Sequence, residues 1–247
     1  MRTSPPSRRA VLGTLAGTVV GWNTLTGTWA TAADRVDGAH HIADVPPLDG
    51  TLTTAAADVT EFGHDFGRLI EDTEPWAVLV PGSALDIARM INYARENRLK
   101  LAANGRSGHA GDLESHSSYG QAAVRGGIAV DSRGMNRVLS VGTDTVTVEM
   151  GATWAEVTDR LLPLGRTLPA LPDYLHLSVG GTLSVGGIGG TAGTYGLVVD
   201  TVRSVDVVTG TGQVLTASAS VRSDLFNAVL GGGGQAGVIV RATIRTV

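Results

Sequence analysis

Ile87, Met90, Ile91 and Ala94 recur at i, i+3, i+4 and i+7 behind Ser83, a spacing that predicts a helix from the Ser83 cap to about Glu96 with one buried stripe. In front of it, Trp76-Ala-Val-Leu-Val80 reads as a buried strand stopped by Pro81-Gly82, and Leu99 to Ala103 reads as a second strand behind it. Strand, helix and strand at this length predict a βαβ unit. Gly127 to Asp131 is a further strand, and Val138 to Val141 and Thr145 to Met150 are two more about a turn at Gly142-Thr143-Asp144. Thr153-Trp-Ala-Glu156 is a capping box, so a helix should open there and run to about Leu162. Val202 to Val208 and Gln213 to Thr216 flank the turn Thr209 to Gly212, and Asp224 to Leu230 is a short helix ended by the glycines at 231 to 234. In the last strand Val238, Val240, Ala242 and Ile244 alternate with Ile239, Arg241, Thr243 and Arg245, the pattern of a half-buried strand. The predicted fold class is α+β, with short helices set on mixed sheets.

One stretch fits neither period. Asp173-Tyr-Leu-His-Leu-Ser178 leads into Val-Gly-Gly-Thr-Leu-Ser-Val-Gly-Gly-Ile-Gly-Gly190, in which small hydroxyl residues and spaced aliphatics interrupt the glycines. With no helix-forming run behind its glycines, it reads as a loop whose backbone comes very close to a ligand. Glycine permits positive φ and lacks the Cβ that would hold a ligand away, which leaves main-chain N–H groups able to face anionic oxygens. Flexible linkers are polar throughout, and this stretch is not. A Rossmann fingerprint directly after the first strand is missing, and no Gly-Lys-Ser or Gly-Lys-Thr of a Walker A loop occurs. A second glycine-bearing loop, Asn104 to Gln121, holds His109 and His116, neither of which has a metal-ligand partner at useful spacing.

Composition narrows the partners. Glycine makes up 34 of the 247 residues, about twice the usual share of roughly 7%. The net charge of −4 without basic clusters argues against nucleic acid, whose phosphates demand a concentrated field of Lys and Arg. The chain has no cysteine, so disulfide, thiolate and Cys-zinc chemistry are excluded. At the N-terminus, Arg8-Arg9 before the apolar run Ala10 to Val20, with Ala30-Thr31-Ala32 beyond it, predicts a twin-arginine export signal over residues 1–32. The apolar run falls well short of the ~20 residues that span a bilayer, so no stable membrane anchor is expected. That pathway carries folded proteins and suits one that takes up a cofactor before leaving the cytoplasm. Residues 33–60, with Pro46-Pro47, read as a loose lead-in to a folded body that begins near Phe62 and occupies 61–247.

Several blocks, in order, resemble the flavin domain of the vanillyl-alcohol-oxidase type and within it are most similar to the cytokinin dehydrogenase family. They are Pro81 to Glu96, His116-Ser117-x-x-Gly120-Gln121, the strand ending at Asp131, Asp173 to Gly190, Ser204 to Thr216, and Asp224 to Ile244. The resemblance implies a PCMH-type FAD-binding domain of two small mixed α/β subdomains that cradle FAD. It also implies a loop, beginning at Gly105 and Gly108, that wraps the pyrophosphate, with Ser117 and Gln121 on the cofactor. The family's histidine before serine is joined to the flavin 8-methyl group, and His116 matches it. The chain departs from the family upstream, where Asn104 to Ser115 carries an insertion, so His109 is a rival for the tether. Asp173 matches the aspartate that takes a proton from the substrate amine as hydride leaves for the flavin, a base whose pKa should rise if the ring desolvates it. Gly181, Ser178, Thr182, Ser184 and Ile188 would line the pyrophosphate and ring, and Ile239 would reach the adenine side.

The expected activity is an FAD-dependent oxidation of a secondary amine such as a cytokinin side chain, with a small-molecule substrate and an electron acceptor that the residues do not specify. A flavin oxidase of the same superfamily acting on a sugar alcohol or lactone, and a non-catalytic FAD-binding module, are the alternatives. Members of the family continue into a substrate-binding domain, and this chain ends at Val247 with the last flavin-domain strand, so that domain is expected to be absent from it.

Overall fold

The computed structural model describes residues 21–23, 28–30, 45–66, 70, 73–105 and 122–247. In the N-terminal unit, residues 1–40, β1 (Gly21–Asn23) pairs antiparallel with β2 (Thr28–Ala30). The twin arginines and the apolar run of the predicted signal lie outside the described residues. Among the described residues no helix is long and apolar enough to cross a membrane.

Residues 41–247 form the other unit, built on two sheets. The first runs β3 (Thr51–Thr53), β4 (Ala77–Val80), β6 (Ile128–Asp131), β5 (Leu101–Asn104). β4, β6 and β5 are parallel, and β3 is an antiparallel edge. Helix α2 (Ala84–Glu96) covers one face, burying Ile87, Met90, Tyr93 and Ala94 on Leu79, Ile128 and Val130. On the other face Val59, Phe62 and Val124 pack on Val78 and Ala129, with α1 (Ala56–Thr60) supplying Val59. The predicted strand–helix–strand unit is present in altered form, because β6 inserts between β4 and β5. That order depends on strand pairing more than twenty residues downstream, which local periodicity does not carry.

β3 and α1 move the start of the folded body back from Phe62, so residues 51–60 are not a loose lead-in. The reason is the carboxylate of Asp86, fully buried in the first turn of α2. It accepts hydrogen bonds from the backbone N–H groups of Asp49 (2.9 Å), Gly50 (2.8 Å) and Gly82 (2.9 Å), which ties the strap before β3 to the turn after β4. Gly50 must be glycine there, since a Cβ would stand 2.1 Å from the Val80 carbonyl oxygen.

The second sheet is antiparallel throughout, in the order β10 (Val214–Ser218), β9 (Val202–Val208), β11 (Val238–Arg245), β8 (Thr145–Glu149), β7 (Val138–Val141). So one of the two sheets is mixed and the other is not. Helices α3 (Trp154–Leu161) and α6 (Ser223–Val229) cover one face of this sheet around Val146, Val148, Val205, Val207 and Ile244. Val208, Val240 and Met150 point the other way, into the core beneath α2, and so join the two sheets. Here the strict alternation predicted for the last strand fails. The register against β9 steps from Ile239–Val207 to Arg241–Asp206, leaving Val240 as a bulge residue. Ile239 therefore shares the helix-side core with Ala242 and Ile244, and Val240 faces the opposite core.

Candidate functional site

The glycine-rich stretch is the largest departure from expectation, because its first half is a helix. Ser178 caps α4 (Val179–Val185), its Oγ accepting from the Gly181 N–H at 3.3 Å. Glycine in a helix costs roughly 1 kcal/mol against alanine, so propensity alone argues against this turn. Tertiary burial offsets that cost: Val179 and Leu183, at i and i+4, are fully buried in the helix-side core. Backbone bonds hold the entry, with Ala155 N–H donating to Leu175 O (2.8 Å), Val179 N–H to Ala152 O (2.8 Å) and Gly180 N–H to Met150 O (2.8 Å). Gly180 lies so close that a Cβ would stand 2.8 Å from the Met150 Cβ. The exit is held as well, since the N–H groups of Gly231 and Gly233 donate to the carbonyls of Leu183 (2.9 Å) and Ser184 (2.7 Å). Gly186 and Gly187 turn the chain out of the helix at φ of 108° and 68°, the left-handed region that glycine enters without strain. α5 (Ala192–Tyr195) follows, and Thr191 Oγ1 fastens this return to Pro169 O at 2.9 Å.

The two glycine segments, distant in sequence, meet at this helix. Gly105, at the end of β5, lies against the cap residue of α4, where a Cβ would be 2.5 Å from Ser178 Oγ. Ser132 Oγ, from the turn after β6, donates to Gly105 O at 2.9 Å and holds that approach. Beside it, Asp131 is hydrogen-bonded to the Arg133 guanidinium and raises the Arg133 pKa against the cost of burial. Sequence reasoning passed over Ser132. The only signal for it was a hydroxyl directly after the strand ending at Asp131, one strand over from the glycine loop.

The predicted residues divide. Gly105, Ser178 and Gly181 come together at the start of α4, and Gly181 is exposed. Asp173 is also exposed, so the desolvation expected for it does not come from the protein itself. Tyr174 beside it makes an edge-on contact with His176, with ring centroids 5.5 Å apart. Ile188 is 70% exposed, and Val185, at 61%, faces out from the end of α4. The Ser184 hydroxyl bonds back to Gly180 O at 2.8 Å. Thr182 is buried. Its side chain is turned into the core, where Oγ1 accepts from Trp154 Nε1 at 2.9 Å, because the buried indole needs a partner. The Ile239 side chain is likewise core, 3% exposed, and leaves only its backbone for an adenine. Gly108, His109, His116, Ser117 and Gln121 lie outside the described residues.

Gly186, Gly190, Gly193, Gly233 and Gly234 have open space where a Cβ would stand, and Val185 and Ile188 are exposed. Bare backbone with exposed apolar side chains fits a ligand with both a polar, anionic part and a flat apolar part, as FAD has. A separate cavity of about 150 Å³, lined by Ser83, Met135, Arg137, Glu149, Asp206 and Arg241, includes none of these residues. Its charges are already paired. Arg137 Nη2 lies 2.7 Å from Glu149 Oε1, and Arg241 Nη1 lies 3.3 Å from Asp206 Oδ2. Burial pushes the Glu149 carboxyl up, but hydrogen bonds from Arg137, with the charge of Arg241 behind them, outweigh it and hold the pKa below the usual range.

Two sheets with one glycine segment bridging them make an α+β domain. The FAD binding domain family matches residues 75–218, and the chain belongs to that family. It is 40% identical over 198 residues to an uncharacterised oxidoreductase of the fasciation locus of Rhodococcoides fascians, covering 80% of this chain and 43% of that protein. It is also 40% identical over 203 residues to cytokinin dehydrogenase 3 of Arabidopsis thaliana, covering 79% of this chain and 37% of the relative. Cytokinin dehydrogenase 8 of Oryza sativa subsp. japonica is 40% identical over 198 residues, 73% of this chain and 36% of its own length. The chain thus spans less than half the length of these relatives.

Proposed function

We propose that this domain binds FAD and is the flavin half of an exported oxidoreductase of the cytokinin dehydrogenase type, acting on a secondary amine. The observation that carries the reading is the approach of Gly105 to Ser178, which joins the entrance of the first glycine loop to the second glycine segment inside the stretch matched by the FAD binding domain family. Gly181, the glycines after α4 and the 106–121 loop would hold the pyrophosphate, with Val185 and Ile188 against the ring. His116 is the proposed tether, and His109 is its rival. Bound FAD supplies a two-electron acceptor that no side chain can provide. The protein's own part is to orient the substrate and to take its N–H proton on the Asp173 carboxylate, which makes the neighbouring C–H bond a better hydride donor. Asp173 is exposed in the bare chain, so its desolvation would come with the ring and substrate. The leader around Arg8-Arg9 supports export of protein that is already folded and loaded.

The test is the visible spectrum of purified protein before and after acid precipitation. A yellow protein is expected, with colour remaining in the pellet; His116→Ala should release it to the supernatant and His109→Ala should not. Anaerobic addition of N6-isopentenyl adenine should bleach the flavin, and Asp173→Asn should keep the colour and lose the bleaching. Bleaching by a sugar alcohol or lactone instead would move the substrate class, and flavin reduced by no donor would leave a binding module. Folded protein that stays colourless with excess FAD would refute the reading.

A further inference from the structure

We propose that Trp154 is a positioning residue for the FAD seat, setting the roll of α4 through its hydrogen bond to Thr182; the proposal rests on the FAD reading above. The seat is the outer, glycine-bearing edge of α4, and that edge has to face Gly105. Successive residues of a helix point about 100° apart, so a roll of α4 would turn Gly181 away from the seat and bring a neighbouring side chain toward it. Its aliphatic side chains do little to resist this. The helix has seven residues, two of them glycines in its first turn, and its buried side chains Val179 and Leu183 make contacts without directional preference. Backbone bonds hold its two ends, to Met150 and Ala152 at the start and to the 231–233 glycines at the finish.

Its middle is held by Trp154. The indole is fully buried in the first turn of α3, whose capping box (Thr153 and Glu156) fixes where that helix begins. From there Nε1 reaches the hydroxyl of Thr182, itself 5% exposed, at 2.9 Å. A hydrogen bond has an angular optimum, and a buried donor that loses its acceptor incurs the full desolvation cost, so this bond opposes rotation in a way the aliphatic contacts do not. Thr182 follows Gly181 directly. Fixing the inward direction of one therefore fixes the outward direction of the other.

A purely structural role would lower stability but leave the affinity of the folded protein for FAD unchanged, since ligand affinity of the native state does not depend on how far that state lies below the unfolded one. FAD is titrated into flavin-free protein carrying His109→Ala and His116→Ala, so that no tether masks the equilibrium. Binding is read by quenching of flavin fluorescence, and the geometry of the seat by visible circular dichroism of the bound flavin. Thr182→Ser keeps the acceptor and should match the parent. Thr182→Val and Trp154→Phe should each weaken binding about tenfold and alter the dichroism. The double variant Trp154→Phe/Thr182→Val, with both polar ends gone, should recover part of the stability lost by Thr182→Val yet bind as weakly as either single variant. Parent-like affinity and dichroism in Thr182→Val or in the double variant would overturn the proposal while leaving the FAD reading intact. Failure of the parent itself to bind FAD would overturn both.

Discussion

The strap before β3 has exposed hydrogen bonds from Ser83 to Asp49 and from Arg89 to Pro47, but its buried polar anchor is Asp86, and replacing that residue should cost far more than its size suggests. Asp86 is fully buried and collects three backbone N–H groups within 2.9 Å, from Asp49, Gly50 and Gly82. Arg89 Nη1 adds a longer contact of 3.4 Å to the same carboxylate, from a side chain that is 40% exposed, so it is left out of the sum. In Asp86→Ala all three donors lose their acceptor. Each costs about 1–3 kcal/mol when left unpaired in a buried place. Asp49 and Gly82 are exposed, so water reaches their N–H groups once the carboxylate is gone, and the low end applies. The sum is about 3 kcal/mol. With a urea m-value of about 2 kcal/mol/M, the unfolding midpoint should fall by about 1.5 M. The side chains of Val45, Leu48 and Leu52 pack against the core under α2 and share the strap's attachment. Hydrogen exchange should therefore quicken along Thr51–Thr53 before it does along β6. Asp86→Asn, which keeps one acceptor oxygen, should fall between. A midpoint for Asp86→Ala within about 0.3 M of the parent would show that the carboxylate does not hold the strap, and the account of why the fold begins before Phe62 would fail.

Two further outcomes follow from single features. Arg98 occupies the left-handed position after α2 at φ 56°, with Leu99 N–H bonded back to Ala94 O at 2.7 Å; Arg98→Gly removes the side-chain strain at a smaller cost in unfolded-chain entropy and should raise Tm by about 1–2 °C, whereas an unchanged or lower Tm in a thermal melt would contradict it. Glu149, held below its ordinary pKa by Arg137 and Arg241 in spite of burial, contributes stability that is present above the unfolded-state value of about 4.3 and is lost as pH falls through its folded value; stability below about pH 4 should decline less steeply in Glu149→Gln than in the parent, and equal slopes in urea titrations across that range would refute the pairing.

The amino-acid sequence by itself determined the features that depend on near neighbours. Ser83 and Thr153 cap the two long helices as their side chains predict, and β4, β6, β7, β8 and β9 lie close to where the aliphatic runs put them. The ordered glycine and histidine motifs also carried the family, because a backbone that must approach a ligand leaves a compositional trace that survives without any knowledge of packing. Tertiary structure decided the rest. The helical state of Val179–Val185 runs against local propensity and is set by the burial of Val179 and Leu183. The same packing turns Thr182 toward Trp154, and the bulge at Val240 exchanges the faces of the last strand. β6 enters between β4 and β5 through a pairing that no window of sequence contains. Propensity and capping act over about one helical turn, while the free energy that selects among packings comes from surfaces far apart in sequence, such as those of Trp154 and Thr182. That is why the family could be read from the chain, and why the direction in which each side chain of the glycine-rich stretch points could not.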